Sequence, residues 1–430
     1  MKLTLTKLTV LALLFFAYAC STREQETAKD PLADLVFDAD NAGLTLPADF
    51  QALAVTDTTG YGRHLAVNNN GDIYMSLRRR TDYGGIVALR DTTGDGKADI
   101  QEYFGDYQGT GLEIYKDYLY FSSDTSVHRY KLTPGELIPQ GEPETIVSGF
   151  PVERQHAVKP FAFDNEGNMY VNVGAPSNAC QEQDRTQGSP GQDPCPILEN
   201  YGGIWRFDAE KPGQTKEADG YRFATGIRNA VALNWNPNVN KLYALQHGRD
   251  MLHNWYPETF TEEVPAEEFF LVEDGNDFGW PYCFYNQLIG KKVLNPEYGG
   301  DGELEGRCPE KKGPIMAFPG HYAPNDIMFY SASNFPAKYQ NGALIAFHGS
   351  WNRESENGQQ GYNIVFVPFE GEMPSGDWEV FADGFEGPED VESPNMAIQR
   401  PTGVALGPDG SVYVSDSRKG KVYRIVYTGS

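Results

Sequence analysis

From about residue 46 onward, apolar residues rarely recur at the three-to-four spacing of a helix. Short runs alternate apolar and polar positions with a period of two and are broken by Gly, Asn, Asp and Pro. One phrase returns: an apolar strand, a turn of the "NG" or "DG" kind, then an aromatic-rich strand. It stands at Arg63 ("RHLAVNNNGDIYMSL"), Gly111 ("GLEIYKDYLYFSS"), Lys159 ("KPFAFDNEGNMYVNVG"), Asn229 ("NAVALNWNPNVNKLYALQHG"), Asn325 ("NDIMFYSASNFPAKYQNGALIAFHG") and Arg400 ("RPTGVALGPDGSVYVSD"). Asn70-Gly71, Glu166-Gly167 and Asp409-Gly410 supply the positive φ that tight hairpins need. A single sheet of this kind cannot bury its own apolar faces, whereas a closed ring of six can, so the pattern predicts an all-β, six-bladed β-propeller over residues 46–430. Spacing between phrases widens after Val173 and after Gly248, which predicts inserted loops around 175–200, 250–275 and 280–312.

Composition supports the β reading, with 13% aromatic residues and 46 glycines among 430 residues. A net charge of -25 excludes nucleic acid and anionic membrane surfaces as partners, because both require a basic face. The start of the chain has a different character. Lys2 and Lys7 precede "LTVLALLFFAYAC", an apolar run with the form of an export signal, and "AYAC" resembles a bacterial lipobox with Cys20 as the lipid-bearing residue. Residues 1–20 are therefore expected to be a lipoprotein signal and 21–45 a polar linker. The body would sit in the cell envelope, on the periplasmic or cell-surface side, held to the membrane through its N-terminal lipid; the alternative is a cleaved, unlipidated signal. Four further cysteines, Cys180, Cys195, Cys283 and Cys308, allow two disulfides in an oxidising compartment. Local pairing is the simplest of three connectivities, and the absence of CxxC and CxxCH spacing argues against zinc and covalent haem.

Two groups of residues point to chemistry. Arg63, His156, Lys159, Arg228, Asn229 and Arg400 recur at blade entrances in an otherwise acidic chain, which suggests an axial cavity for an anionic molecule. Hydrogen bonding to inter-blade loops is the plainer alternative. Separately, "DTTGDGKADIQE" places Asp91, Thr93, Asp95, the carbonyl of Lys97, Asp99 and Glu102 at the ligand positions of an EF-hand-type calcium loop, although its flanks read as strands and a solvated acidic hairpin is the alternative.

The ordered set "HAVKPFAFDNEGNMYVNVG", "GIRNAVAL", "QHGRD", "GNDFGWPYC", "FHGSWNR" and "RPTGVALGPDGSVYVSD" resembles the soluble, PQQ-dependent glucose/sorbosone dehydrogenase family across approximately residues 50–428. The resemblance implies oxidation of an aldose or aldehyde sugar, with PQQ and calcium as cofactors and electrons leaving to a separate acceptor, a cytochrome or quinone. It implies His156 as general base, a role suited to a group titrating near neutrality. Arg228 and Asn229 would touch the quinone oxygens, Arg400 a cofactor carboxylate, and Trp351 the cofactor plane, with Arg63 and Lys159 as further carboxylate partners. His247 and Gly248 would give calcium their backbone carbonyls, in a register left open because the Gly-Pro of some relatives is missing. A calcium-dependent propeller lactonase or related hydrolase, or a non-catalytic sugar- or protein-binding propeller, are the competing classes.

Overall fold

The computed structural model describes residues 32–353 and 358–429. Each of the six phrases folds as the two innermost strands of one antiparallel sheet. Blade 1 runs Gly62–Val67, Ile73–Leu77, Ile86–Arg90 and Ile100–Phe104; blade 2 runs Leu112–Tyr115, Tyr118–Ser122, Val127–Lys131 and Glu144–Ser148. Blade 3 is Phe161–Phe163, Asn168–Val173, Gly203–Asp208 and Tyr221–Thr225, and blade 4 is Ala230–Asn236, Lys241–Gln246, Glu267–Val272 and Met316–Phe318. Blade 5 is Pro324–Phe329, Gly342–Phe347, Ile364–Glu370 and Glu379–Ala382. Blade 6 takes Pro401–Leu406, Val412–Asp416 and Val422–Tyr427 from the end of the chain and its outermost strand, Phe50–Thr56, from the beginning. That pairing, from Phe50 opposite Tyr427 to Thr56 opposite Val422, closes the ring.

Six apolar clusters fill the seams between successive blades, each built from inward positions of two neighbouring sheets. Between blades 4 and 5, for example, Tyr243 packs on Phe329 with ring centroids 4.8 Å apart. Aromatic residues serve this purpose because flat sheets splay outward from the axis and large rings fill the widening gap. The predicted turns take their glycines in the left-handed region, with φ of 90° at Gly71, 94° at Gly167 and 80° at Gly410.

Both disulfides form locally, Cys180 with Cys195 and Cys283 with Cys308, and each closes one of the inserted loops. The segment expected to be a linker is shorter than the sequence suggested. Residues 34–430 form one compact unit. Leu35 and Phe37 pack against the seam between blades 6 and 1, Leu44 is buried in the seam between blades 5 and 6, and Thr45 bridges Asp383. Alternating apolar residues in that stretch gain more by covering a seam than by remaining in water. The export signal, Cys20 and linker residues 21–31 lie outside the described residues.

Candidate active site

His156 lies in the loop between blades 2 and 3 with a left-handed backbone, φ 55°. Its Nδ1 is 2.5 Å from the carbonyl oxygen of Ala175. A carbonyl only accepts, so Nδ1 carries the proton and Nε2 keeps its lone pair. Ala175 also donates its N–H to the carbonyl of Arg228, 2.8 Å away, and thus ties the histidine to the first residues of blade 4. Close approach is possible because residue 174 is glycine: a Cβ there would lie 2.7 Å from the Cβ of His156 and 2.8 Å from Oδ1 of Asn229. Burial, reinforced by the charge of Arg228, pushes the imidazole down to about 3. This corrects the expectation of a group titrating near neutrality, since a cationic ring is disfavoured both by lost hydration and by a neighbouring cation. At ordinary pH the ring is neutral, the form a proton acceptor requires.

The guanidinium of Arg228 donates through Nη1 to the carbonyls of Gly248 (2.9 Å) and His247 (3.4 Å), and through Nη2 to Oδ2 of Asp250 (2.8 Å). Its Nε is buried without a partner. Asn229 accepts from Asn172 Nδ2 at 3.4 Å, and its carbonyl accepts the N–H of His247 at 2.9 Å. Burial would raise the Asp250 carboxyl, but Arg228 and Arg185 more than offset this and hold it below the usual carboxylate range. Below the His247-Gly248 corner, buried Glu267 accepts the N–H of Gly248 at 2.8 Å.

Arg400 repeats the pattern two blade junctions away. It donates through Nε to the carbonyl of His348 (2.9 Å) and through Nη2 to that of Gly349 (2.5 Å), with its guanidinium 5.4 Å from the Tyr362 ring centre. Arg63 donates through Nε to Thr110 Oγ1 at 3.0 Å, and burial, aided by Arg78, lowers it to about 10. These groups share one region. Hydrogen bonds link the neighbouring entrances: His247 Nε2 meets the carbonyl oxygen of Pro324 at 2.9 Å, His348 Nε2 meets Ser417 Oγ at 2.7 Å, and the carbonyl of Arg63 accepts from Ser415 Oγ at 2.6 Å. Trp351 follows three residues after His348 and is 55% exposed, so its ring is open to a planar ligand.

Two sets of predicted ligands are arranged differently. Lys159 is fully buried, with its ammonium 3.3 Å from Glu153 and hydrogen-bonded to the carbonyl of Ala157, so it has no charge free for a ligand carboxylate. A buried ammonium takes the nearest carboxylate in its own loop, because leaving either charge alone is costly. The acidic loop turns inward on itself. Asp91 accepts the N–H groups of Thr93, Gly94 and Gly96; Asp95 accepts that of Lys97; Asp99 accepts that of Thr92. Glu102 is exposed and paired opposite Ala88 in the blade 1 sheet, which its β-flank dictates. Asp91, Thr93, Asp95, Lys97, Asp99 and Glu102 thus lie in one tight hairpin whose carboxylates accept backbone N–H groups, with Glu102 in the strand that follows. Among the described residues no group of three or more His, Cys, Asp or Glu side chains is arranged to hold a metal.

Sequence reasoning missed Asp250, Arg185, Glu267, His348 and Gly174. The repeated "HG" after the second strands of blades 4 and 5, in "QHGRD" and "FHGSWNR", was the one available signal, since each pair supplies the carbonyls that an entrance arginine grips.

A family model described as TrAA12-like matches residues 44–428. The fold resembles the holo form of the pyranose dehydrogenase PQQ domain from Coprinopsis cinerea (17% identity, TM-score 0.70, covering 89% of this chain and 97% of that one). It also resembles a calcium structure of a family AA12 carbohydrate-active enzyme from Trichoderma reesei (17%, TM-score 0.73, 91% and 98%) and the PQQ-bound aldose sugar dehydrogenase from Streptomyces coelicolor (17%, TM-score 0.54, 89% and 99%). At these identities the likeness establishes the six-bladed fold. An uncharacterized protein of Borreliella burgdorferi is 31% identical over 209 residues, a match spanning 47% of this chain and 48% of that protein, about half its length.

Proposed function

The chain belongs to the TrAA12-like family, and we propose that it is a PQQ-dependent dehydrogenase that oxidises an aldose or aldehyde sugar. One observation carries the reading: among the described residues the guanidinium groups of Arg63 and Arg400 are hydrogen-bonded to neutral oxygens alone, and Arg228, although paired with Asp250, keeps a buried Nε with no acceptor. Guanidinium groups satisfied by neutral oxygens, as at Arg63 and Arg400, retain charge for an anionic ligand, and a flat tricarboxylate matches those charges and the open face of Trp351. The pyranose dehydrogenase PQQ domain of Coprinopsis cinerea and the PQQ-bound aldose sugar dehydrogenase of Streptomyces coelicolor, both similar in fold, support PQQ as that ligand.

When bound, PQQ supplies a two-electron quinone acceptor for the hydride on the sugar carbon. The protein supplies positioning and a base. Nε2 of His156 takes the proton of the substrate hydroxyl, and its orientation is fixed by the Nδ1 bond to Ala175. Arg228 and Asn229 would hold the cofactor's quinone end, with positive charge and a polar donor to stabilise electron density gained there. Asp250 offsets the charge of Arg228, which eases formation of a second cation on the His156 ring. Calcium is the second component. The remaining lone pairs of the His247 and Gly248 carbonyls would be its donors. Because those oxygens already face a guanidinium, metal and anionic cofactor are expected to bind together and the metal alone only weakly.

The two disulfides suit an oxidising compartment, in keeping with export through residues 1–20 and lipidation at Cys20. Electrons are assigned to a separate cytochrome or quinone. Purified protein loaded with PQQ and calcium, tested with aldoses, polyols and aldehyde sugars, should reduce an electron-accepting dye. Failure to bind PQQ, with no reduction by any of these substrates, rejects the proposal; hydrolysis of lactones in its place would assign the hydrolase class.

A further inference from the structure

Arg185 lies inside the loop closed by Cys180 and Cys195, far in sequence from both His156 and Arg228, yet it touches the supports of both. Its backbone is left-handed, φ 59°, and its N–H is held by Oε1 of Gln181 at 2.9 Å. From there the guanidinium forks. Nε donates to Oε1 of Gln155 at 2.9 Å, the residue immediately before His156. Nη2 donates to Oδ2 of Asp250 at 3.0 Å, the same oxygen that receives Nη2 of Arg228 at 2.8 Å. Both anchors are themselves fixed: Gln155 donates to Asp184 at 2.9 Å, and the backbone of Asp250 exchanges two hydrogen bonds with the side chain of Asn178, at 2.9 and 2.8 Å.

We propose that Arg185 is a positioning residue that sets the distance between the proton-accepting ring of His156 and the cofactor-facing guanidinium of Arg228, using its two donor edges as a spacer presented by the disulfide-closed loop. This rests on the reading of the site as a sugar dehydrogenase. A guanidinium suits the task because its donors are coplanar and rigidly spaced, whereas an ammonium is a single point charge that cannot serve two acceptors in fixed directions. The two arms are separable. The Asp250 arm governs how Arg228 is aimed, and hence cofactor affinity; the Gln155 arm governs the base-bearing loop, and hence turnover.

The test compares Arg185→Met, Arg185→Lys, Gln155→Ala and Asp250→Asn, each checked for folding by circular dichroism and melting. In PQQ-loaded enzyme, Arg185→Met should lose about 10- to 100-fold in kcat with sugar KM little changed, because misplacement by about 1 Å costs on that order. Arg185→Lys should keep PQQ affinity within about threefold of wild type yet share the kcat defect of Gln155→Ala, and Asp250→Asn should weaken PQQ binding. Nitrogen-15 NMR of the imidazoles in cofactor-free protein gives a readout independent of turnover. The wild-type His156 signal should show a single neutral tautomer protonated at Nδ1, and Arg185→Met should show tautomer averaging. A folded Arg185→Met protein with unchanged kcat and unchanged His156 signal, or one with only a lower melting temperature, overturns the proposal. If wild-type protein oxidises no sugar, the dehydrogenase reading fails, while the NMR comparison still decides whether Arg185 orients His156.

Discussion

Gly174→Ala places a single methyl group at the point where three parts of the site meet. The new Cβ would lie 2.7 Å from the Cβ of His156, 2.8 Å from its carbonyl oxygen and 2.8 Å from Oδ1 of Asn229. Ordinary carbon contacts begin near 3.5 Å, so the His156 loop or the Asn229 side chain must retreat by roughly 1 Å. The loop is the softer of the two, because Asn229 follows directly into the blade 4 inner strand whereas His156 lies outside regular structure. Overpacking of this size costs about 1–3 kcal/mol in stability. Its effect on turnover should be larger, on the order of 100-fold in kcat, because proton transfer depends steeply on the placement of Nε2. Steady-state dye reduction by PQQ-loaded protein and urea unfolding measure the two effects side by side. Gly167→Ala is the control: it lies in the same sheet at φ 94° with open space around its Cβ, so it should cost about 1–2 kcal/mol and leave kcat unchanged. If Gly174→Ala turns over within twofold of wild type, or if the control loses as much activity as the test variant, then His156 is not held by the packing described above.

Arg228→Met should weaken PQQ binding at least tenfold and also destabilise the apoprotein, because the carboxylate of Asp250 keeps only Arg185 as a cationic partner; PQQ fluorescence titration and thermal melts read both. Calcium alone should shift the melting temperature by little, and calcium with PQQ by several degrees; a large shift from the metal alone would contradict the sharing of the His247 and Gly248 carbonyls with a guanidinium. Stability should peak in mildly acidic solution. His128 and His156, at about 4 and 3 in the fold against 6.5 ordinarily, stay neutral when folded and therefore remove stability as pH falls below 6.5. Glu113 and Glu267 have the opposite sign: burial lifts them to about 8 and about 7 from 4.5, so their contribution is full below 4.5 and is lost as pH rises through those values. The two trends offset each other between about 4.5 and 6.5 and leave a plateau with a decline on either side. A melting temperature that keeps climbing from pH 6 to 8 would refute this account, and Glu113→Gln should flatten the alkaline decline.

The sequence by itself determined the repeat and its closure. Alternation at a period of two, together with glycine or asparagine at the turns, is a local property, and it marked the two innermost strands of all six blades. It also brought out the short-range disulfides, because each cysteine pair lies within one inserted loop, and it put Arg63, Arg228 and Arg400 at blade entrances, where a propeller gathers its side chains around one axis. Tertiary structure decided which charges remained available there. Lys159 carries the same entrance signature as Arg63, yet its ammonium is consumed by Glu153, six residues earlier, once both are buried. The acidic hairpin follows the calcium-loop spacing except at Thr93, and only the fold shows that Glu102 sits in the following strand while Asp91 accepts N–H groups of its own turn. His156 lost its near-neutral titration to burial and to Arg228, a residue 72 positions later in the chain. Asp250 and Arg185 carried no readable signal because their partners are distant in sequence. Desolvation and pairing depend on who the neighbours are in space, and a period of two along the chain records only which face of a strand a residue occupies.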